Sequence, residues 1–133
     1  MIAEDDPDDQ LLIEDALVEN GVSRDEISFV EDGQSLLTAL DSTQHVPDII
    51  LLDLNMPRID GRQALKKIKS SESLKHIPVV IFTTSSSDED VKSSYQHGCN
   101  TFFTKPATFN DLVENLGIIK TYWAERAILV DSL

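Results

Sequence analysis

The stretch DIILLDLNMPRIDG, residues 48–61, decides the fold class of this chain. Its first part, Asp48–Asp53, holds only apolar residues between two aspartates, which is the pattern of a strand covered on both faces. A second run of this type, Val79–Thr83, follows a helical pattern over Gly61–Ser71. Because a helix between two such strands is typical of a parallel crossover, the stretch predicts the middle of an α/β sheet.

Outward from this stretch, short strand patterns alternate with helical patterns. Further strands are predicted at Met1–Ala3, Ile27–Val30 and Thr101–Thr104. The first helix is predicted to start at Asp6-Pro7 and to end at Asn20-Gly21, and the second to span Gly33–Leu40. A Ser86-x-x-Glu89 capping box starts the fourth helix, which ends at His97-Gly98. The last helix starts at Thr108-x-x-Asp111. Strand and helix alternate five times, which predicts a doubly wound, five-stranded parallel sheet.

Composition and charge indicate one globular domain and exclude several function classes. The chain has 133 residues, of which 11 are basic and 24 acidic, so its formal net charge is −13. Residues 1–61 hold 16 acidic side chains against only Arg24 and Arg58, and such a surface repels nucleic-acid backbones. The longest apolar run, Ile49–Leu52, is too short to cross a membrane. A single cysteine, Cys99, and the lack of an export leader favour a reducing, cytoplasmic location.

Polar side chains follow four of the predicted strands. Glu4 and Asp5 follow the first strand, Asp53 ends the third, Thr83 ends the fourth and Lys105 follows the fifth. Because the carboxyl ends of parallel strands meet at one edge of a sheet, where ligands bind, we expect these side chains to form one site. Taken singly, each of them also fits an ordinary solvated strand end.

The chemistry of this expected site follows from its charge. Carboxylates about 4 Å apart repel by about 4 kcal/mol per pair at an effective dielectric constant near 20, so the cluster calls for a cation. Acidic oxygen ligands with open positions suit Mg²⁺. Asp53 ends the most central apolar strand and is the natural nucleophile for phosphoryl transfer, which would give an aspartyl phosphate. Lys105 would neutralise the phosphoryl oxygens, and the Thr83 hydroxyl would donate to one of them.

Four motifs in this order resemble the receiver domain of two-component response regulators. They are the acidic pair Glu4-Asp5, the DLNMP stretch Asp53–Pro57 with Gly61 four residues later, the VIFTT segment ending in Thr83-Thr84, and Lys105-Pro106. The resemblance runs from Ile2 to about Tyr122. It implies a flavodoxin-like fold in which a sensor histidine kinase or phosphotransfer protein phosphorylates Asp53 and the change is passed to a downstream protein target.

The resemblance also implies a set of metal ligands. Asp5 and Asp53 would bind Mg²⁺ through their side chains, and Asn55 would bind it through its backbone carbonyl. Glu4 would act largely through a metal-bound water.

The resemblance assigns the switch to other residues. Thr83 would move onto the phosphoryl group, with Lys105 as its cationic partner and a cis peptide bond before Pro106. Phe102 takes the place of the switch aromatic, which is commonly Tyr, and Thr84 stands where alanine is frequent. The fourth helix, fifth strand and fifth helix would form the surface that reads out the change. With few residues before Glu4, the first strand is expected either to lack upstream residues or to pair weakly.

A spacing of four and three residues, typical of a coiled-coil seam, runs past the expected end of the core at Leu112, Leu116, Ile119, Trp123, Arg126 and Val130. We expect Leu112–Ile119 to pack on the sheet as an ordinary amphipathic helix. The core should end at about residue 121, leaving an extension over 122–133 in which no core remains to cover Trp123. This extension resembles that of single-domain, phytochrome-associated response regulators, and it predicts a homodimer with Tyr122, Trp123 and Ile128 near its centre.

Three other functions remain open at this point. A Mg²⁺-dependent phosphatase with an aspartyl nucleophile usually needs a second acid two residues later, where this chain has Asn55. A flavin or nucleotide module would need a hydroxyl- or glycine-rich loop after the first strand, whereas Asp5–Asp8 would repel a phosphate. The third is a receiver that is never phosphorylated and serves only as a docking scaffold.

Overall fold

The structure is a computed structural model that describes residues 1–42 and 46–130. The last residues of the expected extension, 131–133, lie outside the described residues. The strands are β1 Ile2–Ala3, β2 Phe29–Val30, β3 Ile50–Leu52, β4 Val79–Thr83 and β5 Thr101–Thr104. The helices are α1 Pro7–Glu19, α2 Gly33–Ser42, α3 Gly61–Ser70, α4 Asp88–Gln96 and α5 Phe109–Ile119, with a 3₁₀ turn at Arg24–Glu26 and a π-helical segment at Lys120–Arg126.

The strands form one parallel sheet in the order β2-β1-β3-β4-β5, which confirms the predicted doubly wound fold. The first strand is short but is not weakly paired, because Ile2 and Ala3 lie in register with both β2 and β3. Strand β2 is shorter than expected because the backbone N–H of Ile27 closes the 3₁₀ turn by donating to Arg24.

The sheet separates two apolar clusters, as the alternation of side chains along β3 shows. Ile50 and Leu52 face one cluster together with Leu36 of α2 and Leu65 of α3. Leu51 faces the other cluster, which includes side chains from α1 and α5. Each side chain of β3 and β4 is buried, as expected for strands covered on both faces. These two strands therefore hold the central part of the sheet edge rigidly in place.

Two of the three predicted helix caps are confirmed and one is wrong. The side chains of Asp6 and Thr108 accept hydrogen bonds from the first turns of α1 and α5. The cap of α4 is Ser87 instead of Ser86, because the Ser87 hydroxyl accepts from the backbone N–H of Asp90 at 3.1 Å. The capping pair therefore lies one residue later than the sequence pattern indicates.

The C-terminal segment departs from the predicted seam. After α5 the chain continues as a π-helical segment to Arg126, and Ala127 is extended, with φ −73° and ψ 143°. Val130 therefore does not continue the helical spacing, since the backbone has left the helix before it. The expectation that nothing covers Trp123 is also wrong, because its side chain packs against the apolar cluster that α1 and α5 share. Within the two described ranges, no helix is long and apolar enough to span a membrane.

Candidate functional site

The carboxyl edge of the sheet brings the predicted polar residues together. Glu4 and Asp5 follow β1, and Asp53 follows β3. One carboxylate oxygen from each of the three lies within 4.8 Å of the others. Glu4 and Asp53 are buried, at 1% and 6% exposure, whereas Asp5 is exposed. The cluster therefore has two buried carboxylates and is open to solvent on the side of Asp5.

Both carboxylate oxygens of Asp53 have hydrogen-bond donors. The hydroxyl of Thr83, which is fully buried at the end of β4, donates to Oδ1 at 2.8 Å. The backbone N–H of Asn55 donates to the same oxygen at 3.1 Å. The ammonium of Lys105, which follows β5, donates to Oδ2 at 3.1 Å. These donors fix the orientation of the carboxylate and balance its negative charge.

Lys105 has carboxylate partners besides Asp53. Its Nζ donates to Oε1 of Glu4, and it donates to Oδ2 of Asp9 at 3.0 Å. Burial acts to lower the pKa of Lys105, but the hydrogen bond with Glu4 and the charge of Asp53, together with the bond to Asp9, outweigh it and hold this pKa above its ordinary range. Lys105 is therefore a fixed cation in the centre of the acidic cluster.

Burial has the opposite consequence for Glu4. It raises the pKa of the Glu4 carboxyl, while hydrogen bonds from Lys105 and from the backbone N–H of Asp6 act to lower it. Burial is the largest of these effects, so the pKa of Glu4 stands above its ordinary range although the carboxyl pairs with Lys105 and faces Asp5 and Asp53.

The loop after Asp53 is held by a close backbone approach. The N–H of Gly61 donates to the carbonyl of Leu54 at 2.9 Å. A Cβ on Gly61 would lie only 2.0 Å from the backbone oxygen of Asp53, so only glycine fits at the start of α3. Gly61 thus allows the start of α3 to lie close to the backbone of Asp53.

A bridge that the sequence analysis missed joins the first turn of α3 to the first turn of α4 and to the loop between β4 and α4. Arg62 donates from Nε and Nη2 to the two carboxylate oxygens of Asp90, at 2.9 and 2.8 Å. Ser85, two residues after Thr83, donates from its hydroxyl to Asp90 at 2.5 Å. The hydrogen bond from Arg62 and that from Ser85 lower the pKa of Asp90 to about 2. No sequence motif marks this bridge, since its members come from α3, α4 and the loop before α4.

One predicted feature of the site is wrong. The structure contains no cis peptide bond among its described residues, so the bond between Lys105 and Pro106 is trans. The trans form is the lower-energy isomer of an X–Pro bond.

The predicted switch aromatic and interface residues occupy different environments. Phe102 is partly buried against the apolar cluster of α2 and α3, and its backbone N–H donates to the hydroxyl of Tyr95 at 3.2 Å. Tyr122 and Ile128 are 57% and 83% exposed. The ring of Tyr122 meets that of Trp123 edge to face, with ring centroids 4.8 Å apart. Ile128 lies beyond the helical segment and is the most exposed of the three predicted interface residues.

The residues at the sheet edge fit a hard divalent cation. The cluster of Glu4, Asp5 and Asp53 offers only oxygen ligands, and its open side at Asp5 leaves room for water. Asn55 is exposed beside this cluster, and its carbonyl is the further oxygen ligand expected from the sequence. The donor set is therefore that of a Mg²⁺ site.

Comparisons with known proteins agree with this geometry. The family model described as the response regulator receiver domain matches residues 1–117. The probable methanogenesis regulatory protein FilR2 of Methanothrix harundinacea is 40% identical over 101 residues, which cover 73% of this chain and 65% of that protein. Response regulator Rcp1 of Synechocystis is 34% identical over 134 residues, which cover 97% of this chain and 90% of Rcp1.

Solved structures give the same result. The phosphorylated cyanobacterial phytochrome response regulator RcpA is 36% identical and superposes with a TM-score of 0.89 over 97% of this chain and 95% of RcpA. The Mn²⁺-bound form of Rcp1 is 34% identical, with a TM-score of 0.83 over 96% of this chain and 95% of Rcp1. A receiver domain of a sensor histidine kinase from Pseudomonas aeruginosa, with magnesium in its active-site cleft, is 26% identical, with a TM-score of 0.73 over 92% of this chain and 93% of that domain.

Proposed function

This chain belongs to the response regulator receiver domain family, and we propose that it accepts a phosphoryl group on Asp53. The observation that carries the proposal is the environment of that carboxylate. Thr83 and the Asn55 N–H hold one oxygen, Lys105 holds the other, and the acidic side chain of Asp5 lies at the open side. An oriented, charge-balanced carboxylate beside a cation site is the arrangement that phosphoryl transfer to an aspartate requires.

The proposed reaction forms one bond to phosphorus and breaks another. An oxygen of Asp53 attacks the phosphorus of the donor, and the bond from phosphorus to the donor atom breaks, with its electron pair leaving on the donor. Mg²⁺ bound by Asp5, Asp53, the Asn55 carbonyl and, through water, Glu4 would neutralise charge on the phosphoryl oxygens. Lys105 supplies a second positive charge at the same edge, since its ammonium already lies 3.1 Å from Asp53.

The phosphoryl group would then act as a switch through Thr83. The phosphoryl group carries a charge of roughly −2 and replaces the single negative charge of the Asp53 carboxylate, and the Thr83 hydroxyl, now bound to Asp53, would turn to donate to it. Movement of Thr83 would pull the loop before α4, and Phe102 would change its rotamer on β5. The surface of α4, β5 and α5 would report the change to a downstream protein target. In this proposal the phosphodonor is a histidine kinase or phosphotransfer protein, and the protein acts in the cytoplasm.

Acetyl phosphate tests phosphorylation without knowledge of the natural donor. Wild type, Asp53→Asn and Asp48→Asn would be incubated with acetyl phosphate and Mg²⁺, and the phosphorylated fraction measured by intact mass. Asp48 is the matched control, since it is an exposed aspartate before the amino end of β3. We expect wild type and the Asp48 variant to gain one phosphoryl group and the Asp53 variant to gain none. Phosphorylation of the Asp53 variant would contradict the assignment, and an unmodified wild type would favour the docking scaffold.

The exposed residues after α5 support a homodimer as part of the proposal. Tyr122 and Ile128 leave large apolar side chains in contact with solvent, and Trp123 lies between them with part of its surface covered by its own chain. A second copy of the chain would cover these apolar surfaces. Sedimentation of the variant with Tyr122→Ser and Ile128→Ser should show a loss of dimer. The control is Leu11→Ser, which removes an apolar side chain that is 58% exposed on α1. If the double variant sediments as wild type does, this interface is wrong.

A further inference from the structure

The loop between β3 and α3, residues 54–60, contains the expected carbonyl ligand Asn55 and is docked on the start of α2. The backbone N–H of Gly33, the first residue of α2, donates to the carbonyl of Ile59 at 2.9 Å. A Cβ on Gly33 would lie only 2.0 Å from this oxygen and 2.7 Å from the carbonyl carbon. Real Cβ contacts essentially never fall below 3.0 Å, so the loop can come this close to α2 only because residue 33 is glycine.

A side-chain contact joins the same two segments. Nε of Arg58 lies 3.5 Å from Oδ2 of Asp32, the residue before Gly33. The first turn of α2 fixes Asp32, whose carboxylate accepts from the backbone N–H of Ser35 at 2.7 Å and from its hydroxyl at 3.1 Å. The side chain of Asp32 is only 8% exposed. The start of α2 therefore presents a firmly held acceptor to the loop.

The backbone of Arg58 shows why the loop needs support from α2. Its φ is 62°, and among the residues that the structure describes it alone has a positive φ without being glycine. A residue with a Cβ is disfavoured in this left-handed conformation, which persists only where neighbouring contacts hold it. Here α2 binds both the side chain of Arg58 and the carbonyl of Ile59, the next residue.

The strained residue lies three positions after Asn55. The side chain of Met56 is buried in the apolar cluster of α2 and α3, which fixes the place of this residue but leaves the peptide unit before it free to rotate. That peptide unit contains the Asn55 carbonyl. If α2 did not hold the loop, Arg58 would relax to a negative φ, and the backbone between Arg58 and Asn55 would have to turn to accommodate the change.

We propose that Gly33 is a positioning residue for the metal site. By docking the loop on α2 it keeps Arg58 in the left-handed conformation, and this conformation keeps the Asn55 carbonyl in place for the cation. The inference rests on the proposed function, in which Asn55 is a metal ligand. It gives the start of α2 an effect on Mg²⁺ affinity, although α2 supplies no member of the acidic cluster.

Gly33→Ala and Gly98→Ala form a matched pair of variants. Each adds one methyl group to a glycine that has a close neighbour, and the Cβ on Gly98 would lie 3.2 Å from Cγ of Lys69. Gly98 also has a φ of 94°, so alanine is strained there. It precedes β5, at the edge of the sheet opposite the site. The comparison therefore separates an effect on the site from a general loss of stability, which urea unfolding measures in both variants.

The experiment is a Mg²⁺ titration of the full chain, followed by the NMR shifts of its backbone amides. We expect Gly33→Ala to bind Mg²⁺ about tenfold more weakly than wild type, as is typical when a residue that orients a metal ligand is lost. Gly98→Ala should bind it within about twofold of wild type, because it touches neither the loop nor a ligand. A merely structural role of Gly33 would leave the two variants with equal Mg²⁺ affinity.

Hydrogen exchange in wild type gives a second measurement, for which no variant has to fold. Coupling between two sites is reciprocal, so Mg²⁺ that binds the docked loop about tenfold more tightly must disfavour undocking by the same factor. Exchange of the Gly33 N–H should therefore slow by about tenfold at saturating Mg²⁺. The Gly98 N–H, which donates to the Tyr95 carbonyl at 3.0 Å, is the control and should change by less than about twofold.

The outcomes separate this inference from the function on which it rests. If wild type binds Mg²⁺ and Gly33→Ala binds it as tightly as Gly98→Ala does, the role of Gly33 is refuted and the metal site stands. If Gly33→Ala does not fold, exchange of the Gly33 N–H that is equal with and without Mg²⁺ refutes the role in the same way. If wild type does not bind Mg²⁺, the proposed function fails and this inference fails with it.

Discussion

Gly61→Ala should displace the phosphoacceptor without adding any polar group to the site. The new Cβ would lie 2.0 Å from the backbone oxygen of Asp53 and 2.7 Å from Cα of Leu54. Since real Cβ contacts essentially never fall below 3.0 Å, Asp53 and the start of α3 must move apart by about 1 Å. Both nearest residues present backbone atoms, so no side-chain rotation can relieve the overlap.

Two effects of this displacement can be measured. Overpacking of this kind lowers the free energy of unfolding by about 1 to 3 kcal/mol, which urea titration resolves. A misplacement of about 1 Å at a reacting group lowers its rate by about 100-fold, which the initial rate of phosphorylation by acetyl phosphate with Mg²⁺ would show.

Gly117→Ala is the control. Gly117 lies within α5, and the atom nearest to its new Cβ is the Asn20 side-chain oxygen at 2.6 Å. This side chain must shift against the hydrogen bonds that its amide donates to the carbonyls of Ala16 and Val113, both at 2.9 Å. The gain of about 1 kcal/mol in helix propensity of alanine over glycine offsets this cost. We expect this variant to keep the wild-type phosphorylation rate and to change the free energy of unfolding by less than about 1 kcal/mol. If Gly61→Ala is phosphorylated within about threefold of the wild-type rate, the close backbone approach does not position Asp53.

Three further predictions concern buried or paired groups. Thr83→Val should lower the free energy of unfolding by about 1.5 to 3 kcal/mol, the value of a hydrogen bond to a charged group. In an Asp53→Asn background the same substitution should lower it by less. Equal losses in the two backgrounds would contradict the hydrogen bond from Thr83 to Asp53. Burial raises the pKa of Cys99 from 9.0 to about 11. A disulfide reagent at pH 8 should therefore label the thiol of the native protein at least about 100-fold more slowly than the thiol of the protein unfolded in urea. Equal labelling rates would contradict the burial of Cys99. The pKa of Asp90 is lowered to about 2, so its bridge to Arg62 stabilises the fold above pH 3.8, and this stabilisation is lost as the pH falls towards 2. Arg62→Gln should raise the pKa of Asp90, as measured by ¹³C titration of the carboxyl group. An unchanged pKa would contradict the bridge.

The sequence predicts the location of the site well because that location follows from topology. Parallel strands bring their carboxyl ends to one edge, so Glu4, Asp53 and Thr83 meet there whatever the details of packing. The helix bounds follow in the same way from local caps, as at Asp6 and Thr108. These predictions need only the order of the elements and their ends.

Contacts that depend on how separate elements pack could not be predicted. Asp9 reaches Lys105 only because α1 packs beside the segment that follows β5, and its place in an acidic run gave no sign of which acid would do so. The bridge from Arg62 to Asp90 likewise depends on the distance between α3 and α4. The π-helical turn at Lys120–Arg126 changes the side-chain phase that a strict seam assumes, so the sequence pattern overestimated the length of the helix.

The most direct test identifies the residue that is phosphorylated in the wild-type chain. Acetyl phosphate would be added with and without Mg²⁺, the product reduced with borohydride to trap an acyl phosphate, and the reduced residue located by peptide mass. We expect one trapped group, at Asp53, formed only when Mg²⁺ is present. Trapping at another carboxylate, or equal trapping without Mg²⁺, would contradict this expectation.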